Sequence, residues 1–178
     1  MDKKELRKEV RALNKIHLVG EERVQASRRI CAAIEANPHF RQAKHIALYH
    51  ALPDEPDLQL LLDKYTAEKY LYLPRVEGDD ISFYPYSGED SLTRGAYEIE
   101  EPTASQEQSV APTLPELILV PGMAFTKQGI RLGRGKAYYD RFLPHTKAYL
   151  IGITFKFRIF DSIPTDEWDV HMNEIVTD

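Results

Sequence analysis

The residue types that could do chemistry are concentrated in residues 120–140. Four of the chain's nine glycines, at positions 122, 129, 133 and 135, lie within this stretch, with Arg131, Arg134 and Lys136 among them and Asp140 just after. Glycine lets the backbone approach phosphate oxygens, and arginine and lysine bind phosphate charge. A neighbouring carboxylate can hold Mg²⁺ together with phosphate oxygens. This composition is typical of an anion or phosphate site.

Two familiar phosphate motifs do not fit this segment. A P-loop needs glycine at position 130 and Ser or Thr after the lysine, where the chain has Ile130 and Ala137. A dinucleotide-binding fingerprint that starts at Gly133 fails at its third glycine, where Tyr138 stands. From the residues alone, a phosphate site stays open beside the alternative of a turn-rich loop whose arginines lie in solvent.

The flanking patterns predict the elements that position this segment. Apolar residues at helical spacing predict helices over residues 2–19, 21–36, 57–64 and 136–142. Short apolar runs predict strands at 45–50, 70–73, 81–84, 117–120 and 148–153. Pro74 is expected to end the second strand, 81–84 to be an edge strand, and 85–115 to have little regular structure.

The alternation of these elements predicts the fold. Strands that are apolar without strict alternation, each followed by a helix, indicate a three-layer α/β/α fold with a mostly parallel, Rossmann-like central sheet. We expect one domain over residues 1–178. Ligands of such sheets bind at the carboxyl ends of the strands, which is where the glycine-rich segment leaves the 117–120 strand.

Charge and cysteine content argue against several classes of protein. The chain has 23 Lys and Arg and 28 Asp and Glu, and a net charge of −5 disfavours a broad nucleic-acid surface. Residues 131–141 nevertheless carry four cationic side chains and one aspartate. Cys31 is the one cysteine, so no internal disulfide or thiolate zinc site is expected. The chain has no apolar run of about 18 residues, so we expect no membrane partner. We also expect a cytoplasmic monomer without nucleic-acid partners.

The glycine-rich segment also resembles the signature of a known family. Its residues Pro121-Gly122-x-Ala124-Phe125 and Gly129-x-Arg131-Leu132-Gly133-Arg134-Gly135-Lys136-x-Tyr138-Tyr139-Asp140 are similar to those of the 5-formyltetrahydrofolate cyclo-ligases, also called 5,10-methenyltetrahydrofolate synthetases. The resemblance continues in Lys3-Lys4-x-Leu6-Arg7, in Asp54-Glu55, in Ile163-Pro164 through Asp169, and in Glu174-Ile175-Val176-Thr177. Two positions depart from the family pattern: Ala137 replaces a usual glycine and Asn173 a usual aspartate.

The resemblance implies an ATP- and Mg²⁺-dependent enzyme that converts 5-formyltetrahydrofolate into 5,10-methenyltetrahydrofolate, ADP and phosphate by phosphorylating the formyl oxygen. It implies catalytic roles for Arg134, Lys136 and Tyr138. The implied ATP-binding residues are Lys3, Lys4, Arg7, Arg131, Leu132, Gly133, Arg134, Gly135, Lys136, Ala137, Tyr138 and Tyr139. The implied folate-binding residues are His50, Glu55, Arg134, Gly135, Lys136, Ala137 and Tyr138. Asp140 and Asp169 are the implied magnesium ligands.

Two other functions stay open at this point. One is a different phosphoryl-transfer enzyme that acts on a small metabolite. The other is a non-catalytic folate- or nucleotide-binding protein, with Ala137 and Asn173 as marks of lost activity. Without the resemblance, Lys3, Lys4 and Arg7 are typical of a solvated helix face. Trp168 is expected to be structural.

Overall fold

The computed structural model describes residues 1–88, 91–94, 100–102 and 108–178. Its helices are α1 (Lys3–His17), α2 (Glu22–Ala36), α3 (Pro38–Gln42), α4 (Gln59–Tyr65) and α5 (Tyr138–Phe142). Its strands are β1 (His45–Ala47), β2 (Tyr70–Glu77), β3 (Asp80–Pro85), β4 (Leu92–Arg94), β5 (Glu100–Pro102), β6 (Leu117–Pro121), β7 (Ala124–Phe125), β8 (Arg131–Leu132), β9 (Tyr149–Ile153) and β10 (Glu174–Val176). None of the helices in this described part is long and apolar enough to cross a membrane.

Six strands form one sheet in the order β10-β9-β6-β1-β2-β3. Every neighbouring pair is parallel except β2 and β3, which are antiparallel. The predicted α/β class with a mostly parallel sheet and an edge strand near 81–84 is therefore confirmed. The edge strand can be antiparallel because it is joined to β2 by a tight turn at Glu77–Asp80.

Side chains alternate between two apolar layers along the central strands. Ile46, Leu71 and Leu119 belong to a cluster that includes Ile30 and Ile34 of α2 and residues of α3 and α4. Their neighbours Ala47, Tyr72, Ile118 and Val120 belong to a second cluster, with Phe142 of α5 and Leu143. Because successive side chains of a strand point to opposite faces, the two clusters cover opposite faces of the sheet. Helices on both faces make three layers, and the layer with the five-residue α5 is the thinner one.

The first helix packs against the glycine-rich segment. Leu6 and Val10 of α1 are buried in a third cluster with Met123, Ala124 and Leu132, and with Ile163 from near the C-terminus. Asp2 caps the N-terminus of the helix. Its side chain accepts a hydrogen bond from the Glu5 backbone N–H, and the Glu5 side chain accepts one from the Asp2 backbone N–H. This reciprocal capping fixes where the first turn starts, and the apolar stripe fixes which side of it faces the segment.

Pro74 does not end β2, contrary to the prediction. The Tyr72 carbonyl accepts from the Leu48 N–H on the β1 side, and the Leu71 carbonyl accepts from Tyr86 on the β3 side. By this alternation the nitrogen of Pro74 faces the β1 side, where β1 has already ended. The missing N–H therefore costs no ladder hydrogen bond. Val76, two residues on, donates its N–H to the Glu101 carboxylate at 2.6 Å.

Other predicted boundaries also shift. Residues 122–135 contain the β7–β8 hairpin, α5 begins at Tyr138 rather than at 136, and the chain re-enters the sheet as β10. Within 85–115, the short strands β4 and β5 pair in antiparallel orientation; positions 89–90, 95–99 and 103–107 of that stretch lie outside the described residues. The strands β7 and β8 have two residues each, which is too few for a periodic pattern of side chains to predict them.

Candidate functional site

A cavity of about 290 Å³ opens at the carboxyl ends of β1 and β6. Its floor is formed by Tyr49 and His50 after β1 and by Pro121 and Gly122 at the end of β6. The predicted site residues that line it are Lys3, Arg7, His50, Glu55, Arg131, Gly133, Arg134, Gly135, Lys136, Ala137, Tyr138, Tyr139 and Asp140. Residues distant in sequence thus share one cavity, at the edge of the sheet where α/β proteins bind ligands.

Three predicted site residues lie away from this cavity. Lys4 is exposed, because one residue along a helix turns a side chain by about 100° from Lys3. Leu132 is fully buried in the α1 cluster, because on β8 its side chain points away from that of Arg131. The Asp169 carboxylate is 6% exposed and binds Lys3 instead of lining the cavity.

The first two turns of α1 are tied to two other segments through the cations Lys3 and Arg7. The Lys3 ammonium lies 2.7 Å from Asp166 and 3.0 Å from Asp169. Burial lowers the pKa of Lys3, but hydrogen bonds to these carboxylates outweigh burial and raise the pKa overall. Arg7 donates from Nε to the Gly133 carbonyl at 2.7 Å. Both cations are therefore held in fixed positions in the cavity wall.

Arg131 is held beneath the glycine-rich segment. Its Nε donates to the Pro121 carbonyl at 2.7 Å, and its Nη1 lies 3.8 Å from Asp140 Oδ1. Its guanidinium lies 5.0 Å from the centre of the Tyr139 ring. Burial lowers the pKa of Arg131, while Asp140 opposes that shift. Arg131 therefore presents positive charge to the cavity from a position fixed on three sides.

Arg134 links the glycine-rich segment to an acidic turn at residues 52–56. Its two terminal nitrogens bind the two carboxylate oxygens of Asp54, and Nη2 lies 3.6 Å from Glu55 Oε2. The other oxygen of Glu55 accepts from the Leu52 N–H at 2.8 Å. The basic and acidic walls of the cavity are thus joined by direct ion pairs.

A buried arginine that the sequence analysis missed supports this acidic turn. Arg158 is fully buried and donates to the Asp54 carbonyl. Its guanidinium lies 4.9 Å from the Phe155 ring centre, and burial lowers the pKa of Arg158 to about 10. From the other side, Arg23 of α2 donates to the carbonyls of Glu55 and Leu52 at 2.9 and 3.0 Å. The turn is therefore held between two arginines, neither of which lies in a recognised motif.

Glu55 is a buried carboxyl in this arrangement. Burial raises its pKa, and the opposing charges of Arg134 and Arg158 only partly offset that effect. Burial likewise raises the pKa of Tyr139 well above its usual value, so its phenol stays protonated at neutral pH. The cavity therefore combines cations with a carboxyl group that holds its proton more tightly than an exposed one.

Other lining residues were also missed. Tyr49 follows β1, and Pro74, Val76, Ile81 and Glu101 come from β2, β3 and β5; no chemical motif marks any of them. Asp166 and Trp168 lie just inside the closing motif at Ile163–Asp169, which was the available signal. Trp168, expected to be structural, is 64% exposed at the cavity.

The glycine-rich segment depends on unusual backbone conformations. Ala137 precedes α5 with φ = 59°, the left-handed conformation that glycine adopts without strain. A Cβ on Gly129, where φ is 95°, would lie 2.3 Å from the Met172 carbonyl oxygen. Ala137 thus keeps the conformation that the family's usual glycine would supply. Asn173, the other departure, ties β10 to β9 by accepting from the Leu150 N–H at 2.8 Å.

Asp140 fits the donor set of a magnesium site better than Asp169. Asp140 lines the cavity, whereas Oδ2 of Asp169 already accepts from Lys3 and from the Asp166 N–H. Within the described residues no group of three or more His, Cys, Asp or Glu side chains could hold a metal. Mg²⁺ does not need such a group, because one or two carboxylates, waters and substrate phosphates suffice.

The chain is similar to known proteins of one family. Residues 1–178 match the family model of the 5-formyltetrahydrofolate cyclo-ligases. A 5-formyltetrahydrofolate cyclo-ligase of Mus musculus is 28% identical over 186 residues, 97% of this chain and 89% of the mouse protein. The solved structure of a 5,10-methenyltetrahydrofolate synthetase of Aquifex aeolicus is 38% identical, with a TM-score of 0.86 over 99% of this chain and 89% of that one. A synthetase of Mycoplasma pneumoniae, 24% identical, shares the fold with a TM-score of 0.76 over 99% of both chains.

These matches define a class of α/β enzyme. The chain belongs to the 5-formyltetrahydrofolate cyclo-ligase family. The predictions of this family and of an enzyme are confirmed.

Replacing Ala137 with glycine should stabilise the protein. The left-handed conformation costs an alanine roughly 1–2 kcal/mol, while glycine's greater freedom in the unfolded chain costs about 0.5–1 kcal/mol. We expect A137G to raise the free energy of unfolding in urea by about 0.5–1 kcal/mol, the difference of the two effects. Gly135→Ala, at φ = 109°, is the opposite control and should lower it. A destabilised A137G would contradict the strain at this position.

The raised pKa of Glu55 predicts a pH-dependent cost to stability. The folded protein holds this proton more tightly than the unfolded chain, so stability from Glu55 is full below the ordinary carboxyl pKa and is lost as pH rises through the raised one. Glu55→Gln should remove that loss, so the variant gains stability relative to the wild type as pH rises. Urea unfolding across this pH range measures the difference, with exposed Glu68→Gln as the control. Parallel curves for E55Q and the wild type would refute the raised pKa.

Proposed function

We propose that this chain converts 5-formyltetrahydrofolate into 5,10-methenyltetrahydrofolate, coupled to conversion of ATP into ADP and phosphate. The observation that carries the proposal is the single cavity, in a member of this family, that joins a cationic glycine-rich segment to a buried carboxylate on the opposite wall. The first wall suits a triphosphate, and the second suits the hydrogen-bonding edge of a pterin.

The proposed reaction has two steps. The formyl oxygen attacks the γ-phosphorus of ATP, the bond from that phosphorus to the bridging oxygen breaks, and ADP leaves. N10 then attacks the formyl carbon, the carbon–oxygen bond breaks, and phosphate leaves as N10 loses its proton and the ring closes. Phosphorylation is needed because an amide oxygen is a poor leaving group. Both steps develop charge on phosphate oxygens, so positioned cations lower both barriers.

Residues of the glycine-rich segment are proposed to act on the transferred phosphoryl group. Arg134 and Lys136 would neutralise its charge, and Tyr138 would orient the formyl group. Within the described residues Lys136 is exposed and forms no ion pair, so it can bind phosphate without first leaving a partner. The backbone at Gly133, Gly135 and Ala137 can approach phosphate oxygens closely because it carries little or no side chain there.

The ends of the cavity are proposed to bind different substrates. Lys3 and Arg7, with Arg131 and Tyr139, would hold the nucleotide phosphates on the α1 side. Glu55 and His50 would hold the folate on the side of the acidic turn. Arg134 offsets only part of the negative charge of Glu55. The buried Glu55 carboxylate can therefore still accept hydrogen bonds from a pterin, which supports this role.

Asp140 is the proposed magnesium ligand of the cavity wall. Bound Mg²⁺ would neutralise charge on the ATP phosphates. Asp169 was also predicted as a ligand; its contact with Lys3 supports a role in positioning that cation. We further propose that residues 1–178 act as one cytoplasmic domain and as a monomer on small molecules, without nucleic-acid or membrane partners.

The most direct experiment is a spectrophotometric assay of methenyltetrahydrofolate formation. Product should form only with 5-formyltetrahydrofolate, ATP and Mg²⁺ together. ATP consumption without methenyl product would favour another phosphoryl-transfer reaction. Binding of both substrates without turnover would favour a non-catalytic protein.

Removing a cation from the cavity should slow turnover without unfolding the protein. Arg134→Ala and Lys136→Ala should each lower kcat by roughly 10²-fold, the usual effect of losing one preorganised charge contact. Lys4→Ala is the matched control, because Lys4 has the same charge but lies outside the cavity. Unchanged turnover in both R134A and K136A would reject the assignment. A similar loss in K4A would show that the cavity does not mark the site.

The two predicted magnesium ligands should behave differently when neutralised. Asp140→Asn should raise the Mg²⁺ concentration needed for half-maximal activity roughly tenfold, the scale for a lost supporting carboxylate. Asp169→Asn should instead raise the KM for ATP at saturating Mg²⁺, because it loosens Lys3. Mg²⁺ titrations of both variants measure this. An equal Mg²⁺ shift in D169N would establish Asp169 as a second ligand, and no shift in D140N would remove Asp140.

A further inference from the structure

The exposed indole of Trp168 is unaccounted for by the proposed chemistry. Trp168 is the one tryptophan of the chain, is 64% exposed, and lines the cavity. It makes no ring stacking or cation contact with any described residue. An aromatic side chain usually buries a large apolar area, so an open indole face at a binding cavity is a surface for a planar ligand group.

The other aromatic side chains of the cavity are already engaged. Tyr49 is buried and donates to the Pro56 carbonyl at 3.0 Å. Tyr139 lies under Arg131, and the Tyr138 ring centre lies 5.7 Å from the Arg141 guanidinium. Among the described aromatic residues that line the cavity, Trp168 therefore has the most accessible ring.

Trp168 lies on the side of the cavity that α1 forms. It lies within the tight turn Asp166–Asp169, in which the Asp169 N–H donates to the Asp166 carbonyl and the Asp166 N–H to the Asp169 carboxylate. Both carboxylates bind Lys3 of α1. Trp168 is thus fixed beside the α1 cations, whereas Glu55 belongs to the acidic turn on the other wall.

We propose that Trp168 is the stacking surface for the base of the nucleotide, with preference for a purine over a pyrimidine. The inference rests on the proposed function, because it takes the α1 cations as ligands of the nucleotide phosphates. With Lys3 as a ligand of the α-phosphate, the base, which ribose joins to that phosphate, lies one sugar's length from Lys3, next to the Trp168 turn. Stacking on an aromatic side chain strengthens base binding roughly 5- to 150-fold, and the larger face of a purine gains more.

Fluorescence of the unmodified protein tests the contact directly, since all indole emission comes from Trp168. Mg²⁺–ATP, added without folate, should quench the emission saturably, while inorganic tripolyphosphate should bind without quenching. Calorimetry run in parallel reports binding independently of fluorescence. ATP binding without quenching overturns the proposal, as does quenching by 5-formyltetrahydrofolate but not by ATP. If ATP does not bind at all, the proposed function falls together with this inference.

Variants separate stacking from folding. Trp168→Ala should weaken ATP binding by calorimetry roughly 5- to 150-fold and leave tripolyphosphate binding unchanged, whereas Trp168→Phe should lose less. The preference for ATP over CTP should shrink in W168A. Tyr70→Ala is the matched control, because Tyr70 is equally exposed and lies outside the cavity. Equal losses for ATP and tripolyphosphate in W168A, or a loss in Y70A as large as in W168A, would overturn the stacking role.

Discussion

Several positive charges are kept close together at one cavity, and this constraint governs the site. Like charges repel strongly where water is scarce, so the cavity cations other than the exposed Lys136 need oxygen partners within the protein. Lys3 has Asp166 and Asp169, Arg131 has the Pro121 carbonyl and Asp140, and Arg134 has Asp54. These partners come from distant parts of the chain, so the charge pairing also joins α1, the acidic turn, the glycine-rich segment and the C-terminal loop.

The apolar packing next to the site makes those charge pairs possible. On β8, Arg131 faces the cavity while Leu132 packs with Leu6 and Val10 of α1. Alternation along a two-residue strand thus places one side chain in the site and the next in the core. Because the same contact holds α1, it also fixes Lys3 and Arg7 over the cavity. Burial of Glu55 and Arg158 works against folding, and the hydrogen bonds of the acidic turn offset part of that cost.

Periodicity and motif were enough to predict the α/β class, the main helices and most of the cavity wall. What they do not specify depends on contacts between residues far apart in sequence. Lys4 differs from Lys3 only by which side of α1 meets the rest of the protein, and Asp169 binds a lysine 166 positions earlier. Arg158 supports a turn 104 positions earlier, so no local pattern marks it. Pro74 continues its strand because β1 ends early on that side, which depends on register and not on residue type.

The same aspartates contribute to the negative net charge of the protein and hold the cations of its cavity in place. Asp54, Asp140, Asp166 and Asp169 add to the net charge of −5, yet each is a partner of a cavity cation. Under the proposed function, a phosphate would replace a carboxylate on Arg134, and the arginine would exchange one anionic oxygen for another without a new desolvation cost of its own. The displaced carboxylate would return to water at the rim, where Asp54 is already partly exposed. The carboxylates that hold these cations in place would thus also prepare them to bind phosphate.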